Sequence, residues 1–312
     1  MTFSDLNSLA KERRPFLFIS DFRAKRLVVV PLDELSKHDM EYSIKKPSSI
    51  SPNNAALQKN PLSFNEYKLK FDRVIEKIKS GDTYLLNLTQ ATKISTSLSL
   101  KEIYAKSNAH YKLRYKDEFV CFSPEKFINI ENDVIHTHPM KGTIDASIKN
   151  AKNKILNDKK EMAEHVMVVD LLRNDLSMVA KDVKVEKFRY VTEIQAGDKN
   201  LLHVSSHISG TLGSDWHERV GDILKSLLPA GSISGAPKRS TVEIIEDVEE
   251  YERGFYSGVF GVYDGNSLDS GVMIRFIEKT DKGYVYKSGG GITLDSDAKE
   301  EYNELLDKVY IA

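Results

Sequence analysis

The chain has 312 residues, 40% of them hydrophobic and 29% charged, with 45 Lys and Arg against 46 Asp and Glu. A formal charge of −1 gives no global attraction to nucleic acid or to an acidic membrane, and one cysteine, Cys121, excludes an internal disulfide and a Cys-based zinc cluster. The apolar runs at 27–32 and 166–169 fall far short of the ~18 residues a membrane span needs, and residues 1–15 carry charges where a signal peptide is apolar, so a cytoplasmic protein is expected.

Residues 16–20 and 27–30 read as two short strands of a hairpin. Residues 45–61 are rich in Ser, Pro, Asn and Lys without a period and read as a mobile loop. Tyr67, Phe71, Val74, Ile75 and Ile78 recur at helical spacing up to Gly81, a C-cap residue. A buried strand over 83–89 follows, then a short helix opened by the Ser99/Glu102 capping box. Strands are predicted at 119–122, 127–130 and 134–137, and one continuous helix over 146–178, which lacks Pro and Gly. Strands at 183–194 and 201–212 and helices at 218–228 and 238–251 come next. A meander over 255–263, 271–277 and 284–288 has its first turn at Asp264-Gly265. Asp297 with Glu300 opens a final helix through Tyr302, Leu305, Leu306 and Val309. The mixture predicts an α+β fold with a largely antiparallel sheet.

Two acidic pairs stand out, Glu161 with Glu164 and Glu301 with Glu304, each spaced i, i+3 on a predicted helix so that both carboxylates share a face. Such pairs are usually solvated surface, but each of these borders an apolar stretch. Converging carboxylates need a cation, and Mg²⁺, which accepts few carboxylates and keeps waters, suits them. Two small-residue loops, 229–238 and 288–292, could bring backbone N–H groups close to an anion, or could be ordinary turns. Neither has the spacing of a phosphate loop or a dinucleotide fingerprint. Arg275, inside the apolar run 272–276, must pair with a structural or a ligand carboxylate. Lys141 sits where a strand gives way to a turn, and as a nucleophile it would have to be desolvated. His203, alone in a strand, suits a core histidine as well as a catalyst.

These segments together resemble the chorismate-utilising enzymes, comprising anthranilate synthase, aminodeoxychorismate synthase and isochorismate synthase. The resemblance rests on Glu164-His-Val-Met-Val-Val-Asp-Leu-Leu-Arg-Asn-Asp-Leu176, Gly231-Ser-Ile-Ser-Gly-Ala-Pro-Lys238 and Arg253-Gly-Phe-Tyr-Ser-Gly258. It continues through Ile274-Arg275 and Gly289-Gly-Gly-Ile-Thr-Leu-Asp-Ser-Asp297 to Glu301-Tyr-Asn-Glu304. It implies one chorismate-binding catalytic domain over 1–312, with 1–64 a shortened N-terminal part and 65–312 the family core. The implied fold is two largely antiparallel β-sheets packed as a sandwich with helices outside.

Pro139-Met-Lys-Gly-Thr143 is similar to component I of aminodeoxychorismate synthase, where anthranilate synthase has Ala at the lysine. The resemblance implies Lys141 as the covalent nucleophile and Glu125, in Ser123-Pro-Glu-Lys-Phe127, as general acid. It implies Glu164 and Glu304 as Mg²⁺ ligands, with Glu161 and Glu301 positioning its waters. Lys238, Gly289, Gly290, Gly291 and Thr143 would contact chorismate, Arg275 and Tyr256 would hold its enolpyruvyl carboxylate, and His203 would line the pocket near the leaving group. Implied partners are a glutamine amidotransferase subunit supplying ammonia and a downstream aminodeoxychorismate lyase. Two departures are visible. Gly142-Thr-Ile-Asp-Ala146 lacks the basic element that follows the nucleophile in relatives, and Leu85 replaces the water-activating Lys of isochorismate synthases. Component I of anthranilate synthase and a silent chorismate-binding scaffold are the alternatives.

Overall fold

In the computed structural model, which describes residues 1–45, 57–196 and 199–311, the first hairpin forms where the sequence places it. Asp21 closes its turn, its carboxylate accepting hydrogen bonds from the Lys25 and Arg26 N–H groups at 2.8 and 3.0 Å. The helices are α1 (Phe3–Lys11), α2 (Phe64–Lys79), α3 (Leu100–Lys106) and α4 (Ala151–Asn157). Then come α5 (Lys159–Ser177), α6 (Val220–Leu227), α7 (Lys238–Glu249) and α8 (Ala298–Asp307). The strands begin with β1 (Phe16–Ser20), β2 (Leu27–Pro31), β3 (Met40–Ile44), β4 (Gln58–Asn60), β5 (Leu85–Ser95) and β6 (Tyr111–Tyr115). They continue with β7 (Phe119–Ser123), β8 (Lys126–Glu131), β9 (Val134–Thr137), β10 (Met140–Asp145), β11 (Lys181–Ala196) and β12 (Lys199–Thr211). The last are β13 (Gly235–Ala236), β14 (Val259–Tyr263), β15 (Leu268–Val272), β16 (Phe276–Thr280) and β17 (Gly283–Ile292). The predicted α+β class holds, with two largely antiparallel sheets.

The chain divides into two compact units, each threaded from three segments. The first (1–37, 125–232 and 258–272) holds a nine-stranded sheet in the order β10-β12-β9-β8-β15-β14-β1-β2, with β11 also paired to β12. Its core includes Phe16, Phe18, Phe260, Tyr263 and Trp216, all with 1% exposure or less. The second (38–124, 233–257 and 273–312) holds an eight-stranded sheet in the order β13-β5-β17-β16-β7-β6-β3, with β4 on β5. Leu100, Ile103, Val120, Phe122, Ile277 and Tyr286 pack together there. Among the described residues no helix is long and apolar enough to cross a membrane.

Several expectations need correction. The continuous helix over 146–178 is two helices, because Asp158 leaves the helical conformation to cap α5, accepting from the Glu161 N–H at 2.9 Å. The strand over 271–277 breaks, with β15 and β16 in different sheets and Arg275 turning the chain at φ +52°. Glu125 is not in a strand but in the joint before β8, where its carbonyl accepts from the Val272 N–H at 3.1 Å. The presumed glycine loop at 288–292 belongs to β17, Gly289, Gly290 and Gly291 pairing with Thr89, Leu88 and Asn87 of β5. The smallness of these residues serves packing, since a Cβ on Gly290 would lie 3.2 Å from Glu301 Oε2. Helix α1 was not foreseen; it buries Leu6 and Ala10. Most of the loop expected over 45–61 lies outside the described residues, and its end forms β4.

The second unit is pinned by a buried ion pair. Glu249 accepts from Arg253 Nε and Nη2 at 2.9 and 2.6 Å and from the Thr89 N–H at 2.8 Å. Arg253 also donates to the Ile233 and Asn87 carbonyls. Removing one partner of such a pair strands a buried charge. Arg253→Ala is therefore expected to lower the free energy of unfolding in urea by about 3–5 kcal/mol; a loss below about 1 kcal/mol, the scale of an exposed pair, would contradict the assignment.

Candidate active site

In the first unit the expected residues gather around an irregularity in β10. Met140 pairs with Ser205 of β12 but Thr143 pairs with His203, so β10 carries one extra residue, a β-bulge at Lys141-Gly142. Lys141 is thus inside a strand rather than at its end. Gly142 has φ +95°, which a residue with a side chain rarely adopts, and a Cβ there would come within 3.0 Å of Glu161 Oε2. Helix α5 runs against this bulge and brings two consecutive functional groups to it. Glu164 Oε2 lies 2.7 Å from Lys141 Nζ, the two side chains being 6% and 26% exposed. His165, fully buried, directs Nδ1 at the Lys141 carbonyl at 3.3 Å and Nε2 at Ser206 Oγ at 2.7 Å. Burial pushes the His165 imidazole below its usual range, which favours its neutral form. His203 turns its Nδ1 toward the Met140 sulfur at 2.8 Å, and Thr143 is exposed opposite it.

Glu125 is not part of this cluster in the strand order, entering β8 three strands along the sheet from β10. Ser232 Oγ donates to its Oε1 at 2.5 Å, and both line a cavity with Thr137, His138 and Asp175.

In the second unit a lysine unnoticed in the sequence links most of the remaining candidates. Lys308 Nζ is 2.7 Å from Glu304 Oε1 and donates to the Gly289 carbonyl at 2.7 Å, while its own carbonyl accepts from Arg275 Nη1 at 3.1 Å. Glu301 and Glu304 both face Gly290, and Ser296 Oγ donates to Glu301 at 2.9 Å. The Arg275 guanidinium stacks on Tyr310, 4.9 Å from the ring centre, and its Nε is buried with no hydrogen-bond partner among the described residues. A buried guanidinium N–H without a partner is a donor that an anionic ligand could satisfy. Tyr256, 2% exposed, is buried, with its hydroxyl pushed well up by desolvation. Lys238 is the half-buried first residue of α7.

Each acidic pair is therefore matched with one ammonium group, Lys141 at Glu164 and Lys308 at Glu304. Among the described residues no three His, Cys, Asp or Glu side chains gather as a metal-holding set. A pair seated on a glycine suits an ion bound through one or two carboxylates with several waters retained, which is how Mg²⁺ is held.

The family model of chorismate binding enzymes matches residues 21–312. The chain belongs to this chorismate-binding family. Among its members, a PabA-like protein of Haemophilus influenzae without an assigned activity is 47% identical over 309 residues, covering 98% of this chain and 94% of the relative. Component 1 of aminodeoxychorismate synthase from Bacillus subtilis is 33% identical over 259 residues, covering 77% of this chain and 54% of the relative. Component 1 of anthranilate synthase from Archaeoglobus fulgidus is 31% identical over 255 residues, 77% of this chain and 60% of the relative. The chain thus spans little more than half the length of the synthase components it matches. The crystal structure of anthranilate synthase component I from Streptococcus pneumoniae superposes with a TM-score of 0.69 at 25% identity, covering 84% of this chain and 60% of that one.

The chorismate-binding fold here also holds three clustered histidines. His136 Nδ1 is 3.0 Å from His207 Nε2, and His138 stacks on His207 with ring centres 4.6 Å apart. Burial, reinforced by the neighbouring His207, pushes His138 down to about 4 and His136 in the same direction, and burial lowers His207 as well. A histidine held neutral in the fold but protonated near 6.5 when unfolded destabilises the protein as pH falls from about 6.5 toward 4. Melting temperatures measured from pH 7.5 to 5 are expected to fall, and His138→Gln to flatten that slope. An unchanged slope in the variant would remove His138 as the cause.

Proposed function

We propose that this chain is the chorismate-aminating component of an aminodeoxychorismate synthase, converting chorismate and ammonia to 4-amino-4-deoxychorismate and water. The observation that carries the reading is Lys141, held by a bulge against the carboxylate of Glu164 at 2.7 Å. The similarity to aminodeoxychorismate synthase components supports it. On this reading the Lys141 amine attacks C2 of chorismate, and the C4 hydroxyl leaves as water with a proton from Glu125. Ammonia then adds at C4 as the C2–nitrogen bond to Lys141 breaks, which splits one difficult substitution into two easier ones. Attack needs a free amine, so the pair with Glu164 must open first.

Arg275, with its unpartnered Nε, and Tyr256 hold the enolpyruvyl carboxylate, while Lys238, Thr143, His203 and the Gly289–Gly291 segment complete the substrate contacts. Glu164 and Glu304 would be the residues to hold Mg²⁺, with Glu161 and Glu301 to orient its waters, and the ion would supply positive charge to neutralise the ring carboxylate. Ammonia comes from a separate glutamine amidotransferase, and a lyase consumes the product on the way to p-aminobenzoate and folate. Cys121 offers no glutaminase nucleophile, being fully buried in β7 with its thiol pushed up.

Mass analysis of products from purified chain, chorismate, Mg²⁺ and ammonium at mildly alkaline pH tests this reading. A product of 4-amino-4-deoxychorismate mass that an added lyase turns into p-aminobenzoate is expected. Anthranilate with pyruvate would make the chain an anthranilate synthase component, and absence of turnover a chorismate-binding scaffold.

A further inference from the structure

We propose that His165 is a positioning residue for Lys141, fixing the β10 bulge through the lysine's own carbonyl; this rests on the reading of Lys141 as the reactive amine. A bulge interrupts the ladder and leaves main-chain groups to find partners elsewhere. Here the ladder is secured on both sides. The Ser206 N–H donates to the Pro139 carbonyl at 2.9 Å before the bulge, and Thr143 pairs with His203 after it. Between them the Lys141 carbonyl meets His165 Nδ1 at 3.3 Å.

The chain of donors runs in one direction. The Arg189 N–H donates to Ser206 Oγ at 3.0 Å, so the Ser206 hydroxyl hydrogen is available for His165 Nε2 at 2.7 Å. The Lys141 carbonyl can only accept, which puts the ring hydrogen on Nδ1 and leaves Nε2 to accept from the Ser206 hydroxyl. This tautomer is assigned from the network. Strand β12 thus holds the imidazole, and the imidazole holds the backbone from which the reactive side chain springs. The Phe188 ring meets the imidazole edge-on at 5.7 Å, and Glu164 is the preceding residue on α5, so one helical turn sets both the lysine's backbone and its counter-ion.

The test compares His165→Leu, which removes both ring nitrogens, with His165→Asn, whose amide N–H can replace Nδ1–H. Ser206→Ala is the milder variant that interrupts the same chain should His165→Leu not fold. Two readouts are taken on each, kcat and KM for chorismate with ammonium, and the labelling rate of Lys141 by an amine-acylating reagent on the ligand-free chain. His165→Leu is expected to lower kcat by about 10²-fold, the scale of a misplaced reacting group, with KM within about two-fold and a changed Lys141 labelling rate. Ser206→Ala is expected to move both readouts the same way by less, and His165→Asn to recover most of kcat and the labelling rate. Unchanged kcat and labelling in His165→Leu, or in Ser206→Ala where the former does not fold, would overturn the proposal. Equal losses in the leucine and asparagine variants would do the same. Lys141→Ala in the same assay separates the two claims. If it leaves turnover intact, the nucleophile reading falls, and the labelling rate alone decides whether His165 positions the lysine.

Discussion

Replacing Lys141 with alanine is expected to cut ammonia-dependent product formation by roughly 10³-fold or more, the scale of losing a covalent nucleophile, while chorismate still binds. The alanine variant has a second effect, because Glu164, whose side chain is 6% exposed, then loses its ammonium partner at 2.7 Å. Lys141→Arg separates the two. A guanidinium keeps a cation beside Glu164 but is never deprotonated at working pH, so this variant is expected to fold like the parent and to be as inactive as alanine. Product formation, chorismate affinity by calorimetry and urea unfolding, measured on all three proteins, decide the matter. Substantial turnover in the arginine variant would remove the covalent route, and parallel loss of binding and turnover would make Lys141 a binding residue.

Glu164→Gln and Glu304→Gln are each expected to weaken Mg²⁺ binding by about 10²-fold or more, since even residues that only support a metal ligand typically cost about 10–100-fold. Each carboxylate now accepts a lysine ammonium, Lys141 in one case and Lys308 in the other. A divalent ion held by either carboxylate would compete with that ammonium for its charge. Lys141→Ala is accordingly expected to bind Mg²⁺ at least as tightly as the parent, although it is inactive. Titration calorimetry without chorismate reads all of this independently of turnover. Unaltered affinity in both glutamine variants, or parent activity undiminished by a strong chelator, would sink the metal assignment.

What was legible in the sequence was what local chemistry decides. The Asp21 hairpin, the Ser99/Glu102 capping box and the Asp264-Gly265 turn are legible because a few neighbouring atoms specify each of them. The motif residues were legible as a family signature, and the structure brings Glu161, Glu164, Lys141 and His203 around one bulge. Less visible were features set by distant partners. Three glycines in a row look like a turn, yet β5 and α8 together make that segment a strand. Arg275 reads as a strand residue because 272–276 is otherwise an apolar run, and no turn-forming side chain marks the point where β15 ends and β16 begins in the other sheet. Ser206 and Lys308 carried no motif, although Lys308 stands one helical turn beyond Glu304 and His165 directly follows Glu164.

The threading of the chain has a consequence for its synthesis. One of the two ladder partners of β1, strand β14, lies more than two hundred residues further along the chain, Phe16 pairing with Tyr263. Until β14 has been made, the nascent chain carries one edge of β1, a strand of five residues that are all buried in the fold, without its partner. Strand β2 covers only one side of it, and an unpaired edge of this kind invites pairing with other chains. Closure of the nine-stranded sheet therefore waits for β14 and β15, and a nascent chain stalled before residue 259 would be a natural client for a chaperone that shields open strands.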